Sequence, residues 1–572
     1  MFLKLSERII NGKSYKYYNL VESVRAEGKV KHNILVPLGV LTDEKADLIR
    51  EIIKARGESK GPSVARYRLD EIIVTKSTDF LNIYVLHKLW GDWGFDTLFR
   101  DYQFIEKLVI NRCINPMSKL RATQWEDGEL IDALNLRQTP NYYGAYNELD
   151  LIYQIESEIQ KHICEQLTIR NMMSDSAIVY DITSTFFERT KCTLAFRGYS
   201  RDHRPDKLQI VIAMAVTAQG YPFYWKVYEG NTPDVSTVED FTNQIINLFG
   251  LSDFVFVFDR GMTSQDNIDY IEEKGFRFIS AIDRNEISTS TPANIEQFRG
   301  VDENTNIEEL ENFIKYDSQL WYREYQSGNR RYILGFSAQK QQDERKTQQA
   351  RLTRFEQRIQ EQNNDLSQAK RNRKRETVEK TVETFLKKTK VKRAIQVTIE
   401  DMPITRGKKC IDSFHITYTI DTSILNDMQL TDGLTCFYTN TCANVWPAEK
   451  VIRQYREKNT VEEGFHEIKG ITELRPVYLS RPERVCAHVT ICVLAYLLYN
   501  TLEKRVSKFV ESSASDMLGE LAKCKVHTIT TDSGIECVKT LTRFTEKQIS
   551  ILKNLEYKPK VIENHFKRLI MN

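Results

Sequence analysis

Residues 444–470 read NVWPAEKVIRQYREKNTVEEGFHEIKG, and the rest of the chain is organised around this stretch. The pattern predicts a helix. Pro447 suits a first helical turn, where a missing N–H costs nothing, and no further Pro or Gly intervenes before Gly464. At about 100° per residue, positions seven and fourteen apart drift by only roughly 20° and 40°. Tyr455, Lys458, Glu462 and Lys469 therefore share one narrow face. A carboxylate flanked by two lysines and a tyrosine suits metal-assisted phosphate chemistry. The plain alternative is a solvated helix carrying ordinary (i, i+4) ion pairs.

Two acidic positions upstream tip the balance toward chemistry. Ala177–Asp181 reads AIVYD and Phe254–Asp259 reads FVFVFD. Each is a short apolar run, β-branched or aromatic, that ends in Asp, as expected of a buried strand with a carboxylate at its C-terminal end. That edge is where open α/β sheets bind ligands. One strand-end Asp is usually a cap or turn residue. Two of them and a helix Glu form a three-carboxylate cluster if the fold brings them together.

These residues resemble the DDE transposases of bacterial and archaeal insertion sequences, in the insertion-sequence-four-like superfamily with its Tyr-(2)-Arg-(3)-Glu-(6)-Lys signature. The resemblance rests on Asp181 in YDITSTFFE, Asp259 in FDRGM, and Tyr455, Glu462 and Lys469 in YREKNTVEEGFHEIK. Supporting blocks are GYSRDHRPDKLQIVIAMAV at 198–216, YEGNTPD at 228–234, and LRPVY followed by RPERVCAHVTICVLAYLL across 474–498. The likeness runs from about residue 175 to 500, more loosely over the N-terminal region. It departs at the signature Arg, where Lys458 stands. Lys keeps the charge without the bidentate fork, and Arg456 is nearby but off the face.

The resemblance implies an RNase H-like core, cleavage of element ends, and joining of 3′-hydroxyls to target DNA. It implies Asp181, Asp259 and Glu462 as catalytic residues and ligands of two Mg²⁺ ions, with Mn²⁺ as a substitute. Mg²⁺ favours carboxylate, water and phosphate oxygens. Tyr455, Lys458, Lys469 and Arg456 are the expected phosphate-binding residues. Trp321 and Trp446 are candidates for stacking on a flipped base, although packing is the commoner role of tryptophan. His488 and Arg475 fall in shared blocks, with structural hydrogen bonding as their plain reading. The competing functions are an RNase H-like nuclease without strand transfer, and a sequence-specific DNA-binding protein with an inactive site. The three intact acids argue against the second. A carboxylate-pair glycosidase has no use for a basic helix face.

A chain of 572 residues is too long for a single core. Apolar content of 41% and charged content of 28% are those of a globular protein. The net charge is only +2, so a nucleic-acid surface must arise by local clustering. Ten cysteines occur without a C-x-x-C pair, which points away from zinc and disulfide frameworks. MFLKLSERIINGK lacks the apolar core of a signal peptide. Val485–Leu502 carries His488, Thr490 and Asn500 and reads as a buried helix rather than a membrane span. The expectation is a cytoplasmic, nucleoid-associated prokaryotic protein with no membrane partner, acting on terminal inverted repeats and target DNA as a homodimer.

The expected fold is α+β and multidomain. Residues 1–75 form a β-meander (Phe2–Ile10, Tyr15–Val24, Lys29–Leu35) and a helix at Thr42–Arg56, with a linker at 57–63. Asn11-Gly12 is a hairpin signal. The meander's lysines and arginines grip DNA or form a solvated face. Residues 76–174 are a helical DNA-binding or bracing domain. Residues 175–283 hold three antiparallel strands followed by β-α-β units, the RNase H-like order, with the first and fourth strands adjacent. Residues 284–446 are a largely β insertion domain with a helical arm at 341–390. The arm's KRNRKR run, 370–375, is either a solvated surface or a phosphate-tracking arm. Residues 447–510 return the Glu helix to the core, and 511–572 are a C-terminal helical region.

Overall fold

A computed structural model describes residues 2–10, 13–26, 29–58, 72–125, 142–173, 177–188, 191–251, 253–301, 305, 312–507, 512–531 and 536–571. Two compact units divide the chain, residues 1–77 with 526–540 and residues 78–525 with 541–572.

In the smaller unit, Phe2–Ile10 (β1), Lys13–Ala26 (β2) and Lys29–Val40 (β3) form the expected antiparallel meander. Tyr18 and Val21 are its buried residues, with Ala46 from Asp43–Glu58 (α1). Asp43 accepts from Lys16 Nζ at 3.1 Å and from Tyr18 Oη at 3.2 Å. From residue 59 the expected linker lies outside the described residues. A second sheet departs from the sequence reading. Ile72–Asp79 (β4) pairs with Lys525–Thr531, which pairs with Glu536–Leu541. Residues 76–79 are thus strand, and the region from 511 on is not all helical. The three strands are rich in β-branched residues, but the first lies far from its partners in sequence.

The larger unit is built on a nine-stranded mixed sheet. Its first five strands are Ala177–Phe186 (β5), Gln209–Thr217 (β6), Pro222–Glu229 (β7), Val255–Phe258 (β8) and Arg277–Ala281 (β9). Across the sheet they run β7-β6-β5-β8-β9. The β5–β6 and β6–β7 pairs are antiparallel, while β5–β8 and β8–β9 are parallel. Both faces of these strands are covered, so they read as apolar runs rather than alternations. On one face Phe241, from the helix Thr237–Phe249, stacks on Tyr180 with ring centroids 3.8 Å apart.

The sheet does not stop at β9, as the sequence reading expects. It continues through Ile314–Lys315 (β10), Trp321–Ser327 (β11), Arg330–Phe336 (β12) and a later strand, Leu434–Thr439. The order from β9 outward is the later strand, β12, β11 and β10. Half of the expected insertion therefore completes the core sheet, and the unpaired backbone groups of β9 find a partner. The arm, within the same unit, has a hydrophobic core of its own. Ala338–Ser367 (α2) and Arg375–Thr389 (α3) pack on a two-stranded sheet of Ile395–Asp401 (β13) and Phe414–Ile420 (β14). Leu352, Phe355, Ile359, Val378, Val382 and Ile416 fill its own core. The expected single arm helix is broken at 368–374. There Arg373 N–H donates to the Asp412 carbonyl at 2.9 Å and Asn372 accepts from Asp412 N–H at 3.2 Å. Lateral pairing replaces the helical ladder.

The helices behind the sheet gather around Pro482–Val506 (α4). This helix is long and apolar enough to cross a bilayer, yet 94% of its apolar stretch is buried inside the protein. It packs against Leu81–Asp92, Gln103–Ile114 and Tyr142–Gln154 from the N-terminal half of the unit. It is a core helix.

Candidate active site

Sheet register brings two of the acids together. Parallel pairing matches Tyr180 on β5 with Phe258 on β8. Both residues are buried, and the next position on each strand is an Asp. Alternation turns Asp181 and Asp259 to the opposite face. Adjacent strands lie about 4.8 Å apart, so the two carboxylates are neighbours. Asp259 stands at the end of β8 as expected. Asp181 does not end its strand, because β5 continues through buried Ser184 and Thr185 to Phe186.

The third acid arrives on a helix that is not continuous. Ala448–Glu457 (α5) and Asn459–Gly470 (α6) meet at Lys458. At the joint, Thr460 Oγ1 donates to the Glu457 carbonyl at 2.8 Å, and Val461 N–H bonds to the Lys458 carbonyl at 3.1 Å. Thr and Asn compete with the backbone in this way and favour helix ends. The break leaves the expected face inward. Asp181, Asp259, Glu462 and Lys469 line one cleft of about 430 Å³. Gly464 lets α6 approach α4, since a Cβ there would lie 2.8 Å from Tyr496 Oη.

Lys458 is the hub. Its Nζ lies 3.0 Å from Asp259 Oδ1 and 3.1 Å from Glu462 Oε1. Burial works against its charge, but Tyr455, Asp259 and Glu462 outweigh that and raise its pKa above the ordinary lysine value. Tyr455 is buried, with Oη 3.4 Å from Asp259 Oδ1. Asp181 is held up to about 7, first by burial and then by repulsion from Asp259 and Glu462, against the Ile182 N–H and Lys458.

A further carboxylate escapes sequence reading. Asp202 Oδ1 accepts from Lys469 Nζ at 2.8 Å and Arg475 Nη1 at 2.6 Å. The Asp202 side chain is only 3% exposed, and its Oδ2 is buried with no hydrogen-bond partner among the described residues. Burial lowers the pKa of Lys469, with Asp202 pulling the other way. Arg201 pairs with Asp234, and both residues line the same cleft. Asp202 and Arg201 sit in SRDHRPD, where alternating charges outside any regular element give no local clue. The one available signal is that the block recurs in the resemblance.

Three expected residues are placed elsewhere. Arg456 turns away and pairs with Asp317 at 2.6 Å. Trp446 is 1% exposed and lies under Lys450, whose Nζ is 4.0 Å from the ring centroid, so it offers no free face to a base. Trp321 packs against the cluster of Ile287, Phe298 and Phe336, with Lys315 Nζ 5.5 Å from its ring. His488 is buried, with Nδ1 2.7 Å from Lys119 Nζ and Nε2 3.2 Å from the Leu474 carbonyl, a structural role.

Carboxylates that repel one another suit a hard divalent cation, and that repulsion adds to burial, the larger cause, in raising the pKa of Asp181. The ligand set is not closed. Among the described residues, no three His, Cys, Asp or Glu side chains are grouped closely enough to hold an ion, and the Lys458 ammonium bridges Asp259 and Glu462.

The family model of the transposase DDE domain matches residues 174–498. The model of the N-terminal domain of IS1634 family transposases matches residues 3–65. No curated protein matches the chain. Among solved structures, a cryo-EM synaptic complex of piggyBac transposase with hairpin DNA is similar at 9% identity and a TM-score of 0.34, over 82% of this chain and 76% of that one. A score that low carries no argument.

Proposed function

The chain belongs to the DDE transposases, and from that premise we propose that Asp181, Asp259 and Glu462 are its catalytic acids, holding two divalent ions, Mg²⁺ with Mn²⁺ as a substitute. Membership in the family implies dependence on a divalent metal. The reading is supported above all by the register that sets Asp181 beside Asp259, with Glu462 lining the same cleft. The strand order β7-β6-β5-β8-β9 supports an RNase H-like core within the larger sheet.

Bound ions supply charge neutralisation at the scissile phosphate and activation of the attacking oxygen. The chain's own residues do the rest. Without bound cations, the single Lys458 ammonium offsets half of the negative charge of Asp259 and Glu462. With Asp259 and Glu462 holding ions, the Lys458 ammonium would be free to pair with a DNA phosphate beside the scissile bond. Tyr455, whose single hydroxyl proton reaches Asp259 Oδ1 at 3.4 Å, would turn that proton to the same backbone once Asp259 holds an ion. Lys469 and Arg475 share the one Asp202 carboxylate, which leaves a single net positive charge at that end of the cleft. Because two element ends are cut and joined together, two copies of the chain act on one DNA complex.

The test combines purified protein, Mg²⁺, labelled duplexes carrying the ends of the protein's own element, and a target plasmid. The expected outcome is end cleavage and joined products, both lost in Asp181→Asn, Asp259→Asn and Glu462→Gln. Cleavage without joining marks a nuclease. Binding without cleavage in the native protein contradicts the assignment of the acids.

A further inference from the structure

The same unit carries a second and larger cleft, about 1060 Å³, between the core sheet and the root of the arm. Its charges are distributed unlike those of the acid cleft. Three of the five acids on its walls are in ion pairs, and the other two accept hydrogen bonds from neutral groups. Arg284 pairs with Glu344 at 3.3 Å and with Asp432. Asp427 pairs with Arg299 at 2.9 Å. Asp283 accepts from the Asn285 N–H at 2.9 Å, and Asp343 from the Gln339 amide at 3.1 Å. Four cations on the same walls, Arg260, Arg351, Lys390 and Arg393, are exposed and have no carboxylate partner among the described residues.

Arg260 links the two clefts. It follows Asp259 directly and lines the larger cleft. Its positive field is felt both at Tyr455, beside the acids, and at Lys340, in the larger cleft. Arg351 stands on α2. Lys390 and Arg393 follow the end of α3, with Lys390 in a left-handed conformation at φ 64°. The arm thus sets three free positive charges across the cleft from Arg260. Unpaired cations in a concave wall focus a positive potential, and a phosphate backbone is the polyanion suited to that geometry.

We infer that the arm-root cleft is a binding channel for the DNA backbone, entered past Arg260 from the acid cleft and gripped by Arg351, Lys390 and Arg393. The inference rests on the reading of the acid cleft as the site of DNA cleavage, and it adds a route for the strand beyond the scissile bond. Each phosphate neutralised in a duplex releases counterions and contributes about 0.9 to the slope of log affinity against log salt. Three cations therefore account for a slope of about 3.

The test measures binding of a fluorescent duplex carrying the element end, without divalent metal, across a salt series. The test variant is R351Q/K390N/R393Q, in which Asn is chosen because it tolerates the left-handed backbone. The comparison variant is K370Q/R371Q/K374Q, of equal charge loss, at the exposed turn between α2 and α3. A thermal melt like that of the native protein certifies that each variant is folded. The cleft variant is expected to lose about 3 from the salt slope and at least about tenfold in affinity at low salt, and the turn variant less than one unit of slope. Equal losses in both variants overturn the channel and leave a net-charge effect. An unchanged cleft variant also overturns it. A native protein that shows no salt-dependent DNA binding refutes the transposase site itself, a separate failure.

Discussion

The acid cleft and the arm-root cleft lie in one unit and hold opposite states of charge. In the first, the cations are committed. Lys458 bridges Asp259 and Glu462, Lys469 and Arg475 converge on Asp202, and Arg201 is paired with Asp234. In the second, three of the five acids are in ion pairs and four cations have no carboxylate partner among the described residues. Committed pairs are locally strong and nearly silent at a distance. Free cations in a groove attract a polyanion from solution, over a range of about 8–10 Å at moderate salt. A division of labour follows, in which one cleft collects DNA and the other rearranges its own ion pairs to act on it.

The sharpest way to break this comparison is to remove an acid. Asp259→Asn is expected to lower end cleavage by about a thousandfold or more, because charge stabilisation by bound metal is worth several kcal/mol. DNA binding should change by less than about twofold in a metal-free gel shift. A comparable loss of binding would place Asp259 in the collecting surface instead.

Asp202→Ala comes next. It strands the nearly buried Lys469 without its carboxylate, and breaking such a pair costs about 3 kcal/mol. Denaturant unfolding should show that loss, and Lys469→Met combined with it should recover part of the stability. No recovery would mean that the pair is not what Asp202 stabilises.

A smaller effect tests the helix that carries Glu462. Gly464→Ala adds a methyl group 2.8 Å from Tyr496 Oη, which is anchored at 3.0 Å to the Gly220 carbonyl. Overpacking of this kind costs about 1–3 kcal/mol. Stability should fall by that amount, and cleavage should fall with it as Glu462 shifts.

The remaining test is a pH dependence. Burial, with repulsion from Asp259 and Glu462, raises Asp181 in the metal-free protein to about 7, well above the ordinary aspartate range. A raised carboxylate contributes stability that is full below the unfolded value and is lost as pH rises through the folded one. The metal-free protein should therefore lose stability between about pH 4 and 7. Added Mg²⁺ should restore it increasingly across the same window, as the proton yields to the ion. Melts with and without Mg²⁺ check this, and a Mg²⁺ effect independent of pH would remove Asp181 from the ligand set.

Much of the site was legible in the sequence, for reasons that are local. The FVFVF run and its terminal Asp259 announce a buried strand and its exit. The spacing of Tyr455, Lys458, Glu462 and Lys469 survives the break at Lys458, because one short turn leaves the four side chains on the same side. The apolar run AIVYD ends in Asp181 and so reads as a strand end, whereas Thr183, Ser184 and Thr185 carry the strand on to Phe186. They are buried within β5, where sheet pairing satisfies their backbone. Non-local features were invisible. The strand Leu434–Thr439 joins β9 across more than 150 intervening residues, so the expected insertion gave no sign of completing the sheet. Asp202 acquires meaning only when Lys469 and Arg475 close on it. The free cations of the arm root are scattered through sequence at 260, 351, 390 and 393, while the conspicuous KRNRKR run lies at a turn, where Arg373 and Arg375 are already paired with Asp365 and Asp401.

The most direct measurement is a crystal structure of the protein soaked in Mn²⁺, read by anomalous scattering. The expected map has manganese between Asp181 and Asp259, and between Asp181 and Glu462, with Lys458 Nζ displaced from both carboxylates. A map in which Lys458 keeps its bridge and no manganese touches the three acids would contradict the account.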